Sequence, residues 1–129
     1  MVKELSEVVS SDFSGKVGAF LVFMGVVRGD GQESKQVAKL EMESYEEHAN
    51  NKIKEICAEV KKKYGVELVS IQHLLGQFNV GEPVVLVVVA GARREKVFVA
   101  MEESVRRYKS EPALFKKEIY LDGKHDWIG

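Results

Sequence analysis

At 129 residues, 45% of them apolar and 30% charged, the chain has the size and composition of one soluble domain that buries a core without staples. A net charge of −1 and a pI near 6.3 exclude a protein that coats nucleic acid through a broad basic surface. Cys57 is the only cysteine, so an intrachain disulfide and a thiolate metal cage are both excluded. No charged-then-apolar leader opens the chain and no stretch approaches the roughly 20 apolar residues of a bilayer span, so a cytoplasmic protein is expected.

In chain order, residues 17–27 (VGAFLVFMGVV) are rich in Val and Phe and predict a strand, with Gly25 marking a bulge or a close backbone approach. Arg28-Gly-Asp-Gly31 is turn chemistry. It matches neither a P-loop nor a dinucleotide fingerprint, so only Arg28, leaving a buried strand directly, stands above a plain turn. Residues 37–45 alternate, with Leu40, Met42 and Ser44 on one face and Lys39, Glu41 and Glu43 on the other: a half-exposed strand. From Glu46 the period lengthens. Ala49, Ile53, Ile56, Cys57, Val60 and Tyr64 form one stripe of an amphipathic helix closed by Gly65.

Residues 66–75 alternate as a strand ending at Gly76, and residues 80–83 turn. Val84 to Ala90 is apolar on both faces, which places that strand centrally in a sheet. A second helix is expected from about Arg94 to Tyr108, with Val97, Ala100, Met101, Ser104, Val105 and Tyr108 facing inward and Pro112 preventing its continuation. Residues 116–121 alternate as a last strand, and Trp127-Ile128 docks as a terminal anchor. The order β-β-α-β-β-α-β reads as one α+β domain over residues 1–129, two-layered, with a mostly antiparallel or mixed sheet and two main helices.

Charge is uneven along this frame. Between Arg93 and Lys117 eight Lys/Arg stand against four Glu. Two cations at a helix start oppose the macrodipole, so Arg93 and Arg94 suggest a held anion rather than a folding role. Lys109 and Lys116 flank Pro112; if they converge, repulsion and partial burial lower a lysine pKa and make it a usable acid, base or nucleophile. His48, His73 and His125 lack ligand spacing, and Cys57 sits on an apolar stripe, so these four read as structural or surface residues.

Four segments carry a family resemblance: GAFLVFMGVVRG from Gly18, ESYEEHA from Glu43, HLLGQFNVGEPVVLVVVAGARREKVF from His73, and YKSEPALFKKEIYLDG from Tyr108. The chain resembles the MoaE family, the large catalytic subunits of molybdopterin synthase. The resemblance implies the MoaE-like α/β hammerhead fold and a sulfurtransferase of molybdenum cofactor biosynthesis. Cyclic pyranopterin monophosphate would receive sulfur from the C-terminal glycine thiocarboxylate of a ubiquitin-fold, MoaD-like carrier, giving a dithiolene. A MoaE dimer flanked by two carriers, a heterotetramer, is implied, with sites near the dimer interface and neither metal nor cofactor. Carried over by position, the resemblance makes Lys109 the key catalytic residue, helped by Lys116. It makes Val26, Val27, Arg28, Arg93, Arg94, Lys109, Lys116, Lys117 and Glu118 the substrate-binding set.

Two positions depart from the family pattern. Arg93-Arg94 replaces His-Arg, which keeps a cation but loses an imidazole, and Gly29-Asp30 stands where Asn-His is usual. From the residues alone, a non-catalytic module binding a phosphate or carboxylate remains the alternative. An RNA-binding domain fits less well, since few aromatics interleave with the cations.

Overall fold

A computed structural model describes residues 2–10, 13–44, 46–112 and 114–128. In chain order the elements are α1 (Val2–Val9), β1 (Ala19–Val26), a 3-10 turn (Gln32–Ser34), β2 (Val37–Ser44), α2 (Glu46–Tyr64), β3 (Leu68–His73), β4 (Gly76–Asn79), β5 (Pro83–Gly91), α3 (Arg94–Ser110), β6 (Leu114–Tyr120) and β7 (His125–Ile128). The α+β class holds. Instead of one sheet there are two, a three-stranded β1-β5-β3 and a four-stranded β4-β2-β6-β7, and every pairing among the described strands is antiparallel.

Strand β5 is central because its side chains are apolar on both faces. Val85, Val87 and Val89 point to one side and join Ile53, Ile56 and Val60 of α2 and Val97, Ala100 and Met101 of α3 in the main core. Burying each such aliphatic side chain stabilises the fold by about 1.5–3 kcal/mol. A charge at Val87, which has no exposed surface, would break this layer. The α2 stripe forms as its spacing dictates, and Gly65 ends the helix in the left-handed conformation (φ +65°) that suits a C-terminal glycine. A second core of Val27, Val37, Leu40, Met42, Phe78, Val84 and Tyr120 lies on the four-stranded sheet. The start of β5 thus belongs to one core and its remainder to the other.

Three elements differ from the sequence-based order. The amphipathic helix α1 precedes the first predicted strand; Gly76 opens β4 rather than closing the strand before it; and Trp127-Ile128 sits in the paired strand β7 rather than in a loose anchor. The β4 and β7 segments are only four residues long, too short for a period to show, and their sheet partners supply the order instead. Tyr45, expected to end the second strand, lies outside the described residues.

Candidate active site

The two sheets and the end of α3 enclose a cleft of about 410 Å³, within the range of small-molecule sites. Its wall runs along β1 from Phe23 to Arg28, and is completed by Leu40, Met42, Val84, Val85 and Ile128. The polar groups are Arg28, Tyr108, Lys109, Lys116 and Glu118. An apolar box with a few converging cations suits a flat ring bearing an anionic group.

Each polar group is placed by a local feature of the chain. At Gly25 the β1–β5 register shifts, and a Cβ there would sit 2.6 Å from Val85 Cγ1, so glycine alone lets the strand bulge so close to β5. Past the bulge, Val27 N–H donates to the Glu82 carbonyl (3.0 Å) and Gly81 N–H to the Val27 carbonyl (2.9 Å). Those bonds fix the point where Arg28 leaves the strand. Tyr108 and Lys109 come from the last turn of α3. Lys116 and Glu118 project from the same side of β6, two residues apart, as the pleat requires.

Glu118 is buried, and its Oε1 accepts hydrogen bonds from Gln32 N–H (3.2 Å) and the Tyr120 hydroxyl (3.1 Å). It therefore ties the loop following Arg28 to the strand carrying Lys116. Gly31 is needed for this approach: a Cβ would fall 2.7 Å from Tyr120 Cε1 and 3.0 Å from Glu118 Oε1. The Tyr120 hydroxyl also lies 3.1 Å from Asp126 Oδ2, and burial, then the two carboxylates, push the phenol up.

Electrostatics set the lysines apart. Burial holds Lys116 below the ordinary lysine range, and the positive charges of Lys109 and Arg28 add to the effect. Burial alone pushes Tyr108 up to about 12, so it faces the cleft as a neutral phenol. Among the described residues, no carboxylate lies within 4 Å of the Arg28, Lys109 or Lys116 charge. Burial likewise pushes the Cys57 thiol up, which keeps it a packed, unreactive group. No cluster of three or more metal-binding side chains occurs among the described residues.

The sequence-derived set is thus divided. Val26, Val27, Arg28, Lys109, Lys116 and Glu118 meet at the cleft; Arg93, Arg94 and Lys117 are not among its lining. Arg93 caps α3 and Arg94 opens it, while Lys109 nearly closes it, so helical rise alone separates Arg94 from Lys109 by about 22 Å. Both arginines are exposed, and among the described residues Arg94 pairs only with its neighbour Glu95, at 3.8 Å. Lys117 points to the opposite side of β6, where it pairs with Glu41 (3.4 Å) and lies 5.6 Å from the centroid of the Trp127 ring. Leu40, Met42, Tyr108 and Ile128 were not anticipated at the site. Their sequence signal is that of core residues, and a cleft wall differs from a core only in what is left unfilled.

Comparison with known proteins places this arrangement. The family model for the MoaE protein matches residues 1–111. The molybdopterin synthase catalytic subunit of Bacillus subtilis is 33% identical over 114 residues, covering 88% of this chain and 71% of that protein. The human protein of the same name is 31% identical over 128 residues, covering 99% of this chain and 65% of its own length. The crystal structure of molybdopterin synthase from Staphylococcus aureus superposes with a TM-score of 0.88 at 28% identity, covering all of this chain and 90% of that one. With fold and sequence in agreement, the chain belongs to the MoaE family.

Proposed function

We propose that this chain is the catalytic subunit of a molybdopterin synthase, a sulfur-transferring enzyme, and that the cleft between its sheets is where transfer occurs. Residues 1–129 act as one MoaE-like domain, in the cytoplasm; among the described residues no helix is long and apolar enough to cross a membrane. The substrate is cyclic pyranopterin monophosphate. The sulfur arrives as a thiocarboxylate on the C-terminal glycine of a MoaD-like, ubiquitin-fold carrier.

The observation that carries this reading is the convergence of Arg28, Lys109 and Lys116 on one partly apolar cleft where, among the described residues, none of the three forms an ion pair, the cleft carboxylate Glu118 included. The apolar wall accepts the ring system, with the backbone of Val26 and Val27 beside it. Arg28 holds the phosphate, and with Lys109 it stabilises oxyanions that develop during transfer. Lys116, whose charged form is disfavoured, takes and returns protons near the attacked carbons, and Lys109 serves in proton transfer or a transient covalent link. Glu118 lines the cleft and keeps Arg28 and Lys116 in register, while Lys117 borders the strand from its outer face.

Arg93 and Arg94 can share this substrate only if they come from a second copy. Phe20, Val22, Met24 and Val26 form an exposed apolar row along β1, and the first three pair across the sheet with the buried Ala90, Val88 and Leu86 of β5. Met24 and Val26 also line the cleft, so a copy packed on this face sits at the cleft mouth. A homodimer with one carrier on each side, a heterotetramer, follows.

Reconstitution tests the assignment. Purified chain, thiocarboxylated carrier and cyclic pyranopterin monophosphate should yield the dithiolene product. Tight binding of substrate with no product in the presence of active carrier would favour a non-catalytic phosphate-binding module instead.

A further inference from the structure

We propose that Arg107 is a positioning residue for the cleft lysines: an ionic clamp on the back of α3 sets the rotation of its last turn and so the approach of Lys109 to Lys116. The inference rests on the functional reading above only for its catalytic consequence.

Arg107 is two residues from Lys109, about 200° around the helix, so the two side chains leave α3 on nearly opposite sides. Its Nε donates to Glu111 Oε2 (2.6 Å) and its NH2 group to Glu111 Oε1 (3.0 Å) and to Glu59 of α2, while NH1 lies 3.9 Å from Glu103. Only 17% of the side chain is exposed. Three carboxylates from two helices and the following loop thus surround one guanidinium, whose planar fork can serve several at once. Lys52 of α2 also reaches Glu111 (3.8 Å). One turn earlier, Glu103 is buried and accepts bonds from Lys63 (2.7 Å) and the Tyr64 hydroxyl (2.8 Å) at the end of α2. The pairs run in opposite order along the two helices, a ladder that fixes antiparallel α2 and α3 in both slide and rotation.

The ladder ends where the site begins. Glu111 is the residue before Pro112, and its N–H closes the helix on the Arg107 carbonyl (2.9 Å). Strand β6 begins at Leu114 and carries Lys116. Clamping Glu111 therefore sets both the pitch of Lys109 and the entry of the strand bearing its partner. The groups facing Lys116 in the cleft are Lys109 and Tyr108 from α3, Arg28 from the exit of β1, and Glu118 on its own strand. Of these, only the α3 pair is attached to the clamp.

Titration of the lysines in the intact chain tests the clamp apart from activity. Lysines reductively methylated with ¹³C are followed by NMR, and Lys116 is assigned through Lys116→Arg. Arg107→Gln should move the Lys116 midpoint upward by roughly half a pH unit as Lys109 swings away, and Arg107→Lys should restore part of the difference. Glu59→Gln, which removes one carboxylate only, should move it less in the same direction. In the assembled enzyme, Arg107→Gln should lower kcat about tenfold with KM within threefold, because distance to the reacting atoms rather than binding has changed. An unmoved Lys116 midpoint in folded Arg107→Gln overturns the proposal, and so does an unmoved midpoint in Glu59→Gln should Arg107→Gln fail to fold. If the wild-type chain forms no dithiolene, the functional reading fails, while the lysine titration still decides the clamp.

Discussion

The last turns of α3 present cations to two different surroundings. On the back, Arg107 lies among Glu59, Glu103 and Glu111, its single charge answered by three carboxylates. On the front, Lys109 faces Lys116 and Arg28 across a cleft in which, among the described residues, no carboxylate lies within 4 Å of their charges. The amino acids are similar and the sequence positions interleave, yet one group has been neutralised by the fold and the other left for a ligand. Cations that a fold pairs fix helices in place. Cations it gathers and leaves unpaired repel one another, and such a cluster persists because an anion completes it.

The largest expected effect lies on the unpaired side. Lys116→Met should lower product formation by at least about 100-fold. It should also raise Tm at neutral pH by about 1–3 °C, because removing the misfit charge relieves desolvation and repulsion. The folded pKa of Lys116 lies below its unfolded value, so the unfolded state binds more protons between the two. The cost is full below the lowered pKa and fades as pH rises through that window. Thermal melts of wild type and variant from pH 7 to 10 should therefore converge.

On the paired side the order reverses. Glu103→Ala should destabilise the chain by about 2–3 kcal/mol, since Lys63 and Tyr64 lose a buried acceptor. Lys63, then Tyr64, holds the Glu103 carboxyl below the usual range. Its contribution is accordingly present above the ordinary carboxylate pKa and lost as pH falls through the lowered one, which urea melts at pH 7 and pH 3 would register.

Arg94 sharpens the contrast from the far end of the helix. Arg94→Ala should raise KM for the pyranopterin about tenfold, the weight of one phosphate contact. At substrate well below KM, mixing Arg94→Ala with Lys109→Ala should restore activity to about a quarter of wild type if each cleft draws its arginine from the second copy, and to only about a twentieth if it does not. The smallest effect belongs to Arg106, next to Arg107 but exposed. Arg106→Ala should change stability by less than about 0.5 kcal/mol in denaturant melts.

Much of this was legible in the chain. The β5 run announces a central strand by being apolar on both faces, and the stripe from Ala49 to Tyr64 announces a helix packed on one side. Gly25 marked a bulge, and the register shift is there. What could not be read was the partition of charge. Arg107, Lys109 and Lys116 look alike in one window of basic residues, and only the antiparallel docking of α2 supplies Glu59 to one of them. Arg93 and Arg94 look contiguous with the site because they share a helix with Lys109, but helical rise carries them to its other end. The short strands β4 and β7 owe their order to neighbours rather than to any period of their own.

One comparison of binding with turnover tests the central claim most directly. Lys109→Ala in the reconstituted enzyme should retain pyranopterin affinity within about threefold while single-turnover dithiolene formation falls by at least about 100-fold. Loss of affinity with an unchanged single-turnover rate at saturating substrate would contradict it, and would reduce the cleft to a place where an anion rests.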